Sequence, residues 1–353
     1  MKLGFDAKRY FQNSTGLGNY ARWLINEMAN KVPSNSWSIK LFHTRKINNS
    51  TLNVFSPTTV LARKFNFLWR TRWIIKDLLK QKITVYHGTS NEIPFGIHKT
   101  NIKTVVTIHD LINKRFPKNY HFFDRFIYDK KLNYAQKYAD VIVVPSKQTQ
   151  NDLIHYYNTK LDKIKVIPLS IPSISKGETS KSDNYILCVS SFNKRKNLAR
   201  LVEAYIKSNL TNLQLVIAGA KGDTTDELIA LCQDNASIKL RFNVCKDELA
   251  KLYINALFCI YPSTFEGFGI PILEAFSYGK TIATSNISSM PEVGGKCAVY
   301  FNPNSIDEIT KAIRKLNNPQ IRQAQSQFIE EQLSKFNSSN ILHQYLELYN
   351  SLI

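Results

Sequence analysis

The chain of 353 residues lacks several features that mark other classes of protein. It has no run of about 18 or more apolar residues, so the sequence predicts no membrane-spanning segment. Its N-terminus has no apolar stretch of signal-peptide length. The five cysteines are scattered, with no C-x-x-C pair and no histidine at metal-ligand spacing. These absences predict a cytoplasmic protein whose thiols are reduced and buried.

Acidic residues are also scarce, most of all in the first half of the chain. The sequence holds 47 Lys+Arg against 27 Asp+Glu, a net charge of +20. Residues 1–170 hold 28 basic and 10 acidic residues, whereas residues 171–353 hold 19 and 17. The basic half predicts an anionic partner, which could be a membrane surface, a lipid pyrophosphate or a nucleic acid. The alternative is a lysine-rich face that contacts only solvent.

Short apolar, β-branched runs alternate with helix-length segments along the whole chain. Such runs predict strands that are covered on both faces, and their alternation with helices predicts parallel sheets. The predicted strands are 2–7, 39–43, 85–88, 103–109, 141–145 and 165–169 in the first half, and 185–190, 213–219, 238–242, 257–261, 281–284 and 298–301 in the second.

The polar stretch 171–183, which contains one proline and one glycine, has the composition of a linker. The sequence therefore predicts a first domain at 1–170 and a second domain at 184–339. A C-terminal helix at about 340–353 is expected to pack back on the first domain. Doubly wound α/β domains bind ligands at the carboxyl ends of their strands, so we expect the two domains to face an interdomain cleft that holds the site.

The most specific motif is F-E-G-F-G-I-P-I-L-E-A at 265–275, directly after a predicted strand. Its two glycines permit a tight turn, and its proline fits the first turn of a helix, whose N–H groups favour an anionic or hydroxyl-rich ligand. Glu274, one turn into that helix, could accept hydrogen bonds from the vicinal hydroxyls of a ribose. Glu266 would face the sugar end of the cleft. The alternative is that both glutamates only complement the helix dipole.

A second motif, S-S-F-N-K-R-K-N-L at 190–198, also follows a predicted strand. Its cations suit a diphosphate, because Arg195 offers a planar fork of donors and Lys196 a point charge. The alternative is an ordinary solvated basic turn.

Two further motifs are less specific. T-G-L-G-N-Y at 15–20 precedes a predicted helix, and Gly16 and Gly18 could bring backbone amides to a phosphate or simply form a tight turn. In T-I-H-D-L at 107–111, His109 ends a buried strand, where it is either a site residue or a satisfied core histidine.

The segment 63–82 predicts an amphipathic helix. Its apolar stripe, expected to pack on the core, consists of Phe67, Leu68, Ile74, Ile75, Leu78 and Leu79. The opposite face is cationic and carries two tryptophans; it consists of Arg70, Arg72, Lys76, Lys80, Trp69 and Trp73. That face is predicted either to lie in an anionic lipid interface or to be solvated. The basic, aromatic stretch 114–137 could line an acceptor cleft or form an ordinary loop and helix.

Together these motifs resemble those of glycosyltransferase family 4, retaining enzymes of the GT-B fold. The resemblance spans nearly the whole chain, and its most specific part is the pair of glutamates separated by seven residues. The sequence departs from the family pattern after 238–242, where a glycine is frequent and this chain has Phe242 and Asn243. The segments that carry the resemblance are TGLGNY (15–20), TIHDL (107–111), ADVIVVPS (139–146), RKNL (195–198), YPSTFEGFGIPILEA (261–275) and SNISSMPEVGG (285–295).

The resemblance implies roles for individual residues. Arg195 and Lys196 would bind the diphosphate of a sugar-nucleotide donor, Glu274 would hold its ribose, and His109 would lie beside the reacting sugar. Glu266 would contact the transferred sugar as a catalytic residue, together with the backbone amides of the glycine loop. Gly16 and Gly18 would approach the phosphates or the acceptor. The remaining donor-binding residues implied by the family are Ser190, Gly267, Phe268, Gly269 and Ile270, with Ser288, Ser289 and Glu292 packing behind the nucleotide.

The resemblance also implies an activity. The chain would move a hexose from a nucleotide sugar to a saccharide acceptor that is linked to a lipid. The product would be a surface polysaccharide such as an O-antigen. The R-K-N and I-H-D forms resemble mannosyl- and rhamnosyl-type members, which favours GDP-mannose over UDP-sugars. No D-x-D motif is present, so neither a metal nor another cofactor is expected. We expect a cytoplasmic enzyme, peripheral on an anionic membrane surface, with no nucleic-acid partner.

Other functions are compatible with parts of the sequence. A UDP-sugar transferase, an epimerase or a phosphorylase would share the fold. A non-catalytic nucleic-acid-binding protein would explain the charge, but it would leave the two spaced glutamates without a purpose, and no nucleic-acid-binding module is evident.

Overall fold

The computed structural model describes residues 1–13, 15–33, 35–47, 52–170 and 184–353. The predicted linker at 171–183 lies outside the described residues. The chain divides into two units: Met1–Ser170 with Ser338–Ile353, and Ile171–Asn337.

The first unit is built on a seven-stranded parallel sheet of order β3-β2-β1-β4-β5-β6-β7. The strands are β1 (Lys2–Asp6), β2 (Ser38–Phe42), β3 (Asn53–Phe55), β4 (Val85–Gly88), β5 (Lys103–Thr107), β6 (Val141–Val144) and β7 (Ile164–Val166). The helices are α1 (Lys8–Gln12), α2 (Gly16–Lys31), α3 (Val60–Lys64), α4 (Asn66–Leu68), α5 (Ile74–Lys80), α6 (Ile112–Arg115), α7 (Phe122–Tyr138) and α8 (Lys147–Tyr157).

The central strands of this sheet are buried on both faces, as the apolar runs predict. Phe5 of β1 pairs in register with Leu41 of β2 and with His87 of β4. The sequence analysis missed only β3 in this sheet, a three-residue edge strand that begins at the exposed Asn53. A strand this short, with a polar first residue, gives no apolar run to detect.

The second unit holds a six-stranded parallel sheet of order β10-β9-β8-β11-β12-β13. Its strands are β8 (Tyr185–Val189), β9 (Gln214–Gly219), β10 (Ile238–Phe242), β11 (Phe258–Tyr261), β12 (Ile282–Ser285) and β13 (Ala298–Phe301). Its helices are α9 (Leu198–Ser208), α10 (Thr225–Cys232), α11 (Lys246–Asn255), α12 (Ile270–Ser277), α13 (Met290–Gly294), α14 (Ile306–Asn317), α15 (Pro319–Ser326) and α16 (Ile329–Ser334).

Amphipathic helices cover this second sheet. In α9, Leu198, Leu201, Val202 and Tyr205 recur at helical spacing and are all buried. In both units the strand order runs outward in two directions from the first strand, as in doubly wound nucleotide-binding folds. The predicted α/β class with two Rossmann-like sheets is therefore confirmed.

The last helix, α17 (Ser338–Asn350), belongs to the first unit. The Tyr349 hydroxyl lies 2.7 Å from His87 Nδ1, and His87 Nε2 lies 2.8 Å from the Thr107 hydroxyl. The Tyr345 hydroxyl lies 2.8 Å from that of Tyr20. These buried hydrogen bonds fix the helix to β4, β5 and α2.

The predicted amphipathic helix at 63–82 has a different geometry. A π-helical turn at Trp69–Trp73 separates α4 from α5. A π turn adds one residue to the helical repeat, so residues on its two sides do not share one 3.6-residue wheel.

The predicted stripe is divided as a result: Ile74 and Leu78 are buried, whereas Phe67, Leu68 and Leu79 are exposed. The predicted cationic face is also divided. Trp69 and Arg70 are buried, while Arg72, Lys76 and Lys80 are exposed. Arg70 is drawn inward by two carboxylates, because its Nε donates to both oxygens of Asp6 at 3.2 Å and its Nη1 pairs with Glu92. Among the described residues, no helix has both the length and the hydropathy required to cross a bilayer.

We predict that the buried histidine under α17 makes stability depend on pH. Burial lowers the pKa of His87 to about 3, whereas a histidine in the unfolded chain has a pKa of about 6.5. The unfolded state therefore binds more protons below pH 6.5, and stability falls as the pH falls. Between pH 7 and pH 5 this histidine alone should lower the free energy of unfolding by about 2 kcal/mol.

Denaturant unfolding of H87Q at several pH values tests this. The variant should have a shallower pH dependence than the wild type. The control Y349F removes a hydrogen-bond partner of the same ring but keeps the histidine, so it should retain the wild-type slope. Equal slopes for H87Q and the wild type would contradict the assignment.

Candidate functional site

The loops after β8 and β11 meet at the carboxyl edge of the second sheet. These strands are neighbours at the point where the strand order reverses, and ligands of doubly wound sheets bind there. The loop after β8 contains the basic turn Lys194–Lys196, and the loop after β11 contains Ser263 and Glu266. The Thr264 N–H donates to the Arg195 carbonyl at 2.9 Å, which joins the two loops.

A single carboxylate oxygen is the centre of this arrangement. Glu266 Oε1 accepts hydrogen bonds from Arg195 Nη1 at 2.6 Å, from Lys196 Nζ at 2.6 Å and from the Ser263 hydroxyl at 2.5 Å. Lys196 Nζ also lies 2.8 Å from the Tyr261 hydroxyl, and Arg195 Nη1 donates to the Phe265 carbonyl. The structure thus brings together three of the predicted site residues, and it adds Ser263, which the sequence analysis did not single out.

The charges in this cluster do not cancel. Burial alone would raise the pKa of Glu266, but the Lys196 ammonium and the Arg195 guanidinium outweigh it and lower that pKa to about 2. Burial lowers the pKa of Lys196, while the Glu266 charge acts in the opposite direction. With both basic groups charged, two cations face one anion in a largely buried position. Two cations fixed side by side at the carboxyl edge of the sheet suit an anionic ligand.

The glycine loop follows Glu266 directly and leads into α12. Gly269, the residue before the helix, has φ of +104°, a backbone conformation that favours glycine. Two serines hold this loop. The Ser288 hydroxyl donates to the Glu266 carbonyl at 2.6 Å, and the Ser289 hydroxyl donates to the Phe268 carbonyl at 2.8 Å. Gly267, Phe268, Gly269 and Ile270 therefore form a fixed turn at the N-terminus of α12.

Glu274 lies further along α12 and makes a polar contact of its own, separate from the Glu266 cluster. Its Oε2 accepts a hydrogen bond from the Tyr253 hydroxyl at 2.9 Å. Burial raises the pKa of Glu274, and the bond from Tyr253 partly offsets this. Tyr253 stacks on Tyr278, with ring centroids 5.1 Å apart and planes inclined by 8°. No local sequence pattern singles out Tyr253, because the contact of α11 with α12 depends on tertiary packing.

Ser190, which was also predicted to bind the donor, is the first residue of the basic motif. Ser190 follows β8 and is buried, with its N–H donating to the Ala218 carbonyl at 2.9 Å and its hydroxyl donating to the Ser191 carbonyl at 3.3 Å. Its predicted contact with a donor stays a prediction.

The predicted glycines of the first unit begin α2. The Gly18 N–H donates to the Thr15 carbonyl at 2.9 Å and to Asn13 Oδ1 at 3.0 Å. A Cβ atom at Gly18 would lie 1.8 Å from the Asn13 carbonyl oxygen, so the close approach of the two backbones requires glycine. Gly18 has a structural role in this turn, and contact of Gly16 or Gly18 with a phosphate or an acceptor stays a prediction.

His109 follows β5 in the first unit and is buried. Its Nε2 lies 3.0 Å from the Thr89 carbonyl oxygen, which can only accept, so Nε2 carries the proton. Its ring packs edge-on against Tyr20, with centroids 4.9 Å apart. Burial lowers the pKa of His109 to about 4, so the ring is neutral at pH 7. These are the contacts of a satisfied core histidine, and its place beside a reacting sugar stays a prediction.

No group of three or more His, Cys, Asp or Glu side chains within the described ranges is arranged to hold a metal ion. The expectation that the activity needs no metal stays a prediction.

Comparison with known proteins identifies relatives of both units. A model described as glycosyltransferase family 4 matches residues 20–172, and a model described as glycosyl transferases group 1 matches residues 171–332. The O-antigen chain mannosyltransferase B of Escherichia coli is 27% identical to this chain and covers 89% of it and 90% of its own length. The O-antigen chain mannosyltransferase RfbU of Salmonella typhimurium is 26% identical, covering 75% of this chain and 78% of its own length. Among solved structures, sucrose-phosphate synthase from Thermosynechococcus elongatus superposes with a TM-score of 0.78 at 16% identity, covering 100% of this chain and 99% of its own.

We predict that Glu266 stabilises the folded second unit by neutralising its two buried cations. E266Q keeps the shape of the side chain but leaves Arg195 and Lys196 without their carboxylate. Breaking a buried ion pair in this way should lower the free energy of unfolding by about 3 kcal/mol.

Denaturant unfolding at pH 7 measures this loss. The matched control is D307N, which removes the carboxylate from the surface pair of Lys207 and Asp307 and should leave stability unchanged. If E266Q were as stable as D307N, the cluster would not contribute to the fold.

Proposed function

The chain belongs to glycosyltransferase family 4, and on that premise we propose that it is a retaining mannosyltransferase. It transfers mannose from GDP-mannose to a saccharide on a lipid-linked acceptor in the synthesis of a surface polysaccharide. The observation that carries this proposal is the convergence of Arg195 and Lys196 on Glu266 at the carboxyl edge of the second sheet.

The cluster is suited to bind and activate a nucleoside diphosphate. Departure of the diphosphate from the sugar develops negative charge on the β-phosphate, and fixed cations stabilise that charge in the transition state. Arg195 and Lys196 are already held in place by Glu266, so little side-chain ordering remains to be done when the donor binds. Phosphate oxygens take over the donors of both cations, and the Glu266 carboxylate becomes available to the hydroxyls of the transferred sugar.

Glu274 is suited to bind the ribose of the same donor. A carboxylate accepts hydrogen bonds from two vicinal hydroxyls, and the bond from Tyr253 fixes which way this carboxylate points. Tyr253 thus acts as a positioning residue for nucleotide binding. The glycine loop between the two glutamates places backbone amides at the N-terminus of α12, close to Glu266.

The sequence relatives support mannose as the transferred sugar. Two of them are mannosyltransferases of O-antigen chains and align with most of this chain. They also support a polysaccharide as the product. The acceptor hydroxyl attacks the same face of the sugar from which the diphosphate leaves, because Glu266, the carboxylate that the described residues place in the cluster, is assigned to the hydroxyls of the sugar and not to a covalent intermediate.

We predict that GDP stabilises the protein through Lys196. At a concentration of 100 times its Kd, GDP should add about 2.7 kcal/mol to the stability, which appears as a rise in Tm. K196A should lose most of that rise. The matched control K194A removes an exposed cation from the same turn and should keep it. Equal responses of K194A and K196A to GDP would contradict the assignment of the diphosphate site.

We also predict the donor and the stereochemistry of transfer. With a saccharide acceptor, GDP-mannose should be consumed at least about tenfold faster than UDP-glucose or UDP-N-acetylglucosamine, a barrier difference of about 1.4 kcal/mol. NMR coupling constants of the product should show the anomeric configuration of the donor. Faster use of a UDP-sugar would overturn the choice of donor, and an inverted product would overturn the mechanism.

A further inference from the structure

The first unit exposes large apolar side chains on two neighbouring helical segments. In α7, Phe122 is 72% exposed, Phe123 is 76% exposed and Phe126 is 50% exposed, and Ile127 is exposed beside them. The second segment, α3 and α4, exposes Val60, Leu61, Phe65, Phe67 and Leu68. We call these nine residues the apolar patch.

The apolar residues of α7 form a stripe on the side away from the core. Phe122 and Phe126 are four residues apart, as are Phe123 and Ile127, so the four side chains share one face. Leu132 and Ala135 of the same helix are buried and lie on the opposite face. Because this stripe faces away from the core of the first unit, its side chains can be buried only against another surface.

Lys131 joins the two segments into one patch. Its Nζ lies 5.1 Å from the centre of the Phe67 ring and 2.6 Å from a carboxylate oxygen of Glu92. Glu92 in turn pairs with the buried Arg70. The middle of α7, one turn after Ile127, is therefore held beside Phe67 of α4 by contacts that reach the interior of the unit.

Cations surround the patch. Lys130 Nζ lies 4.4 Å from the centre of the Phe126 ring, and Lys64 Nζ lies 6.0 Å from that of Phe65. Arg63 of α3 and Lys118, four residues before α7, are also exposed. Long basic side chains can rest on apolar surface while their charges stay in water, which is the arrangement found at membrane interfaces.

We propose that the apolar patch docks the protein on the surface of an anionic lipid bilayer. The aromatic and aliphatic side chains enter the boundary between headgroups and acyl chains, and the surrounding cations pair with lipid phosphates. The net charge of +18 on residues 1–170 favours an anionic surface over a neutral or basic one. Lysines whose stems lie on exposed aromatic rings favour a bilayer, where such side chains keep their charges at the headgroups. This surface differs from the cationic face predicted from the sequence, of which Trp69 and Arg70 are buried.

The inference rests on the proposed function for its purpose, since a lipid-linked acceptor lies in the membrane. A patch that holds the enzyme at the bilayer raises the local concentration of such an acceptor. The patch itself lies in the first unit and shares no residue with the Arg195, Lys196 and Glu266 cluster. Membrane docking and nucleotide binding can therefore be tested separately.

The experiment is co-sedimentation of the full chain with lipid vesicles. The wild type should bind phosphatidylglycerol-containing vesicles, bind pure phosphatidylcholine vesicles weakly, and lose affinity as salt rises. The variant with Phe122, Phe123 and Phe126 all changed to Ser should bind anionic vesicles at least about tenfold more weakly. The variant with Lys64 and Lys130 changed to Glu should lose the preference for phosphatidylglycerol.

The matched control changes three exposed apolar residues of the second unit, Ile206, Ile229 and Leu231, to Ser, and it should bind vesicles like the wild type. Wild-type vesicle binding by the phenylalanine variant would overturn the proposal. The proposal would also be overturned if the wild type formed a dimer and bound no vesicles, while the phenylalanine variant were a monomer. The patch would then join two copies of the chain.

The rise in Tm with GDP is measured on the same variants. If the wild type responds to GDP but binds no vesicles, the docking surface is overturned and the proposed function stands. Vesicle binding without a GDP response supports the docking surface and removes GDP-mannose as the donor of the proposed function.

Discussion

The contact of Arg195 and Lys196 with one oxygen of Glu266 is the constraint on which the second unit's chemistry depends. Two cations this close together repel each other, and in a mostly buried position they need an anion between them. In the free protein Glu266 supplies that anion and links the loops after β8 and β11. A diphosphate can supply it instead. The same electrostatic requirement therefore stabilises the cluster and suits it to a charged donor.

Much of the fold was predictable because burial on both faces leaves a strong trace in sequence. The apolar runs predict twelve strands, and parallel pairing follows from the helices between them. The motif 261–275 was predictable as strand, turn and helix, because glycine and proline restrict the backbone locally. The location of Arg195 and Glu266 at one edge of the sheet was predictable, since both follow strands of that sheet, but their direct ion pair was not.

Other features depend on packing that no local pattern encodes. The π turn at Trp69–Trp73 moved Arg70 from a predicted surface into contact with Asp6 and Glu92, and nothing in the helical periodicity marks where a residue is added. Tyr253 reaches Glu274 only because α11 packs beside α12. The sequence was equally compatible with His109 as a site residue and as a core residue. Its hydrogen bond to the Thr89 carbonyl is visible only in the three-dimensional structure. Both units thus contain buried polar contacts that depend on tertiary packing and that no local sequence pattern predicts.

A crystal structure of the chain with GDP tests the central claim most directly. The account predicts diphosphate oxygens within hydrogen-bond distance of Arg195 Nη1 and Lys196 Nζ, the ribose hydroxyls on Glu274, and longer distances from Glu266 Oε1 to both cations than the 2.6 Å of the free protein. A bound GDP that leaves the Glu266 contacts unchanged and places its phosphates away from Arg195 and Lys196 would contradict it.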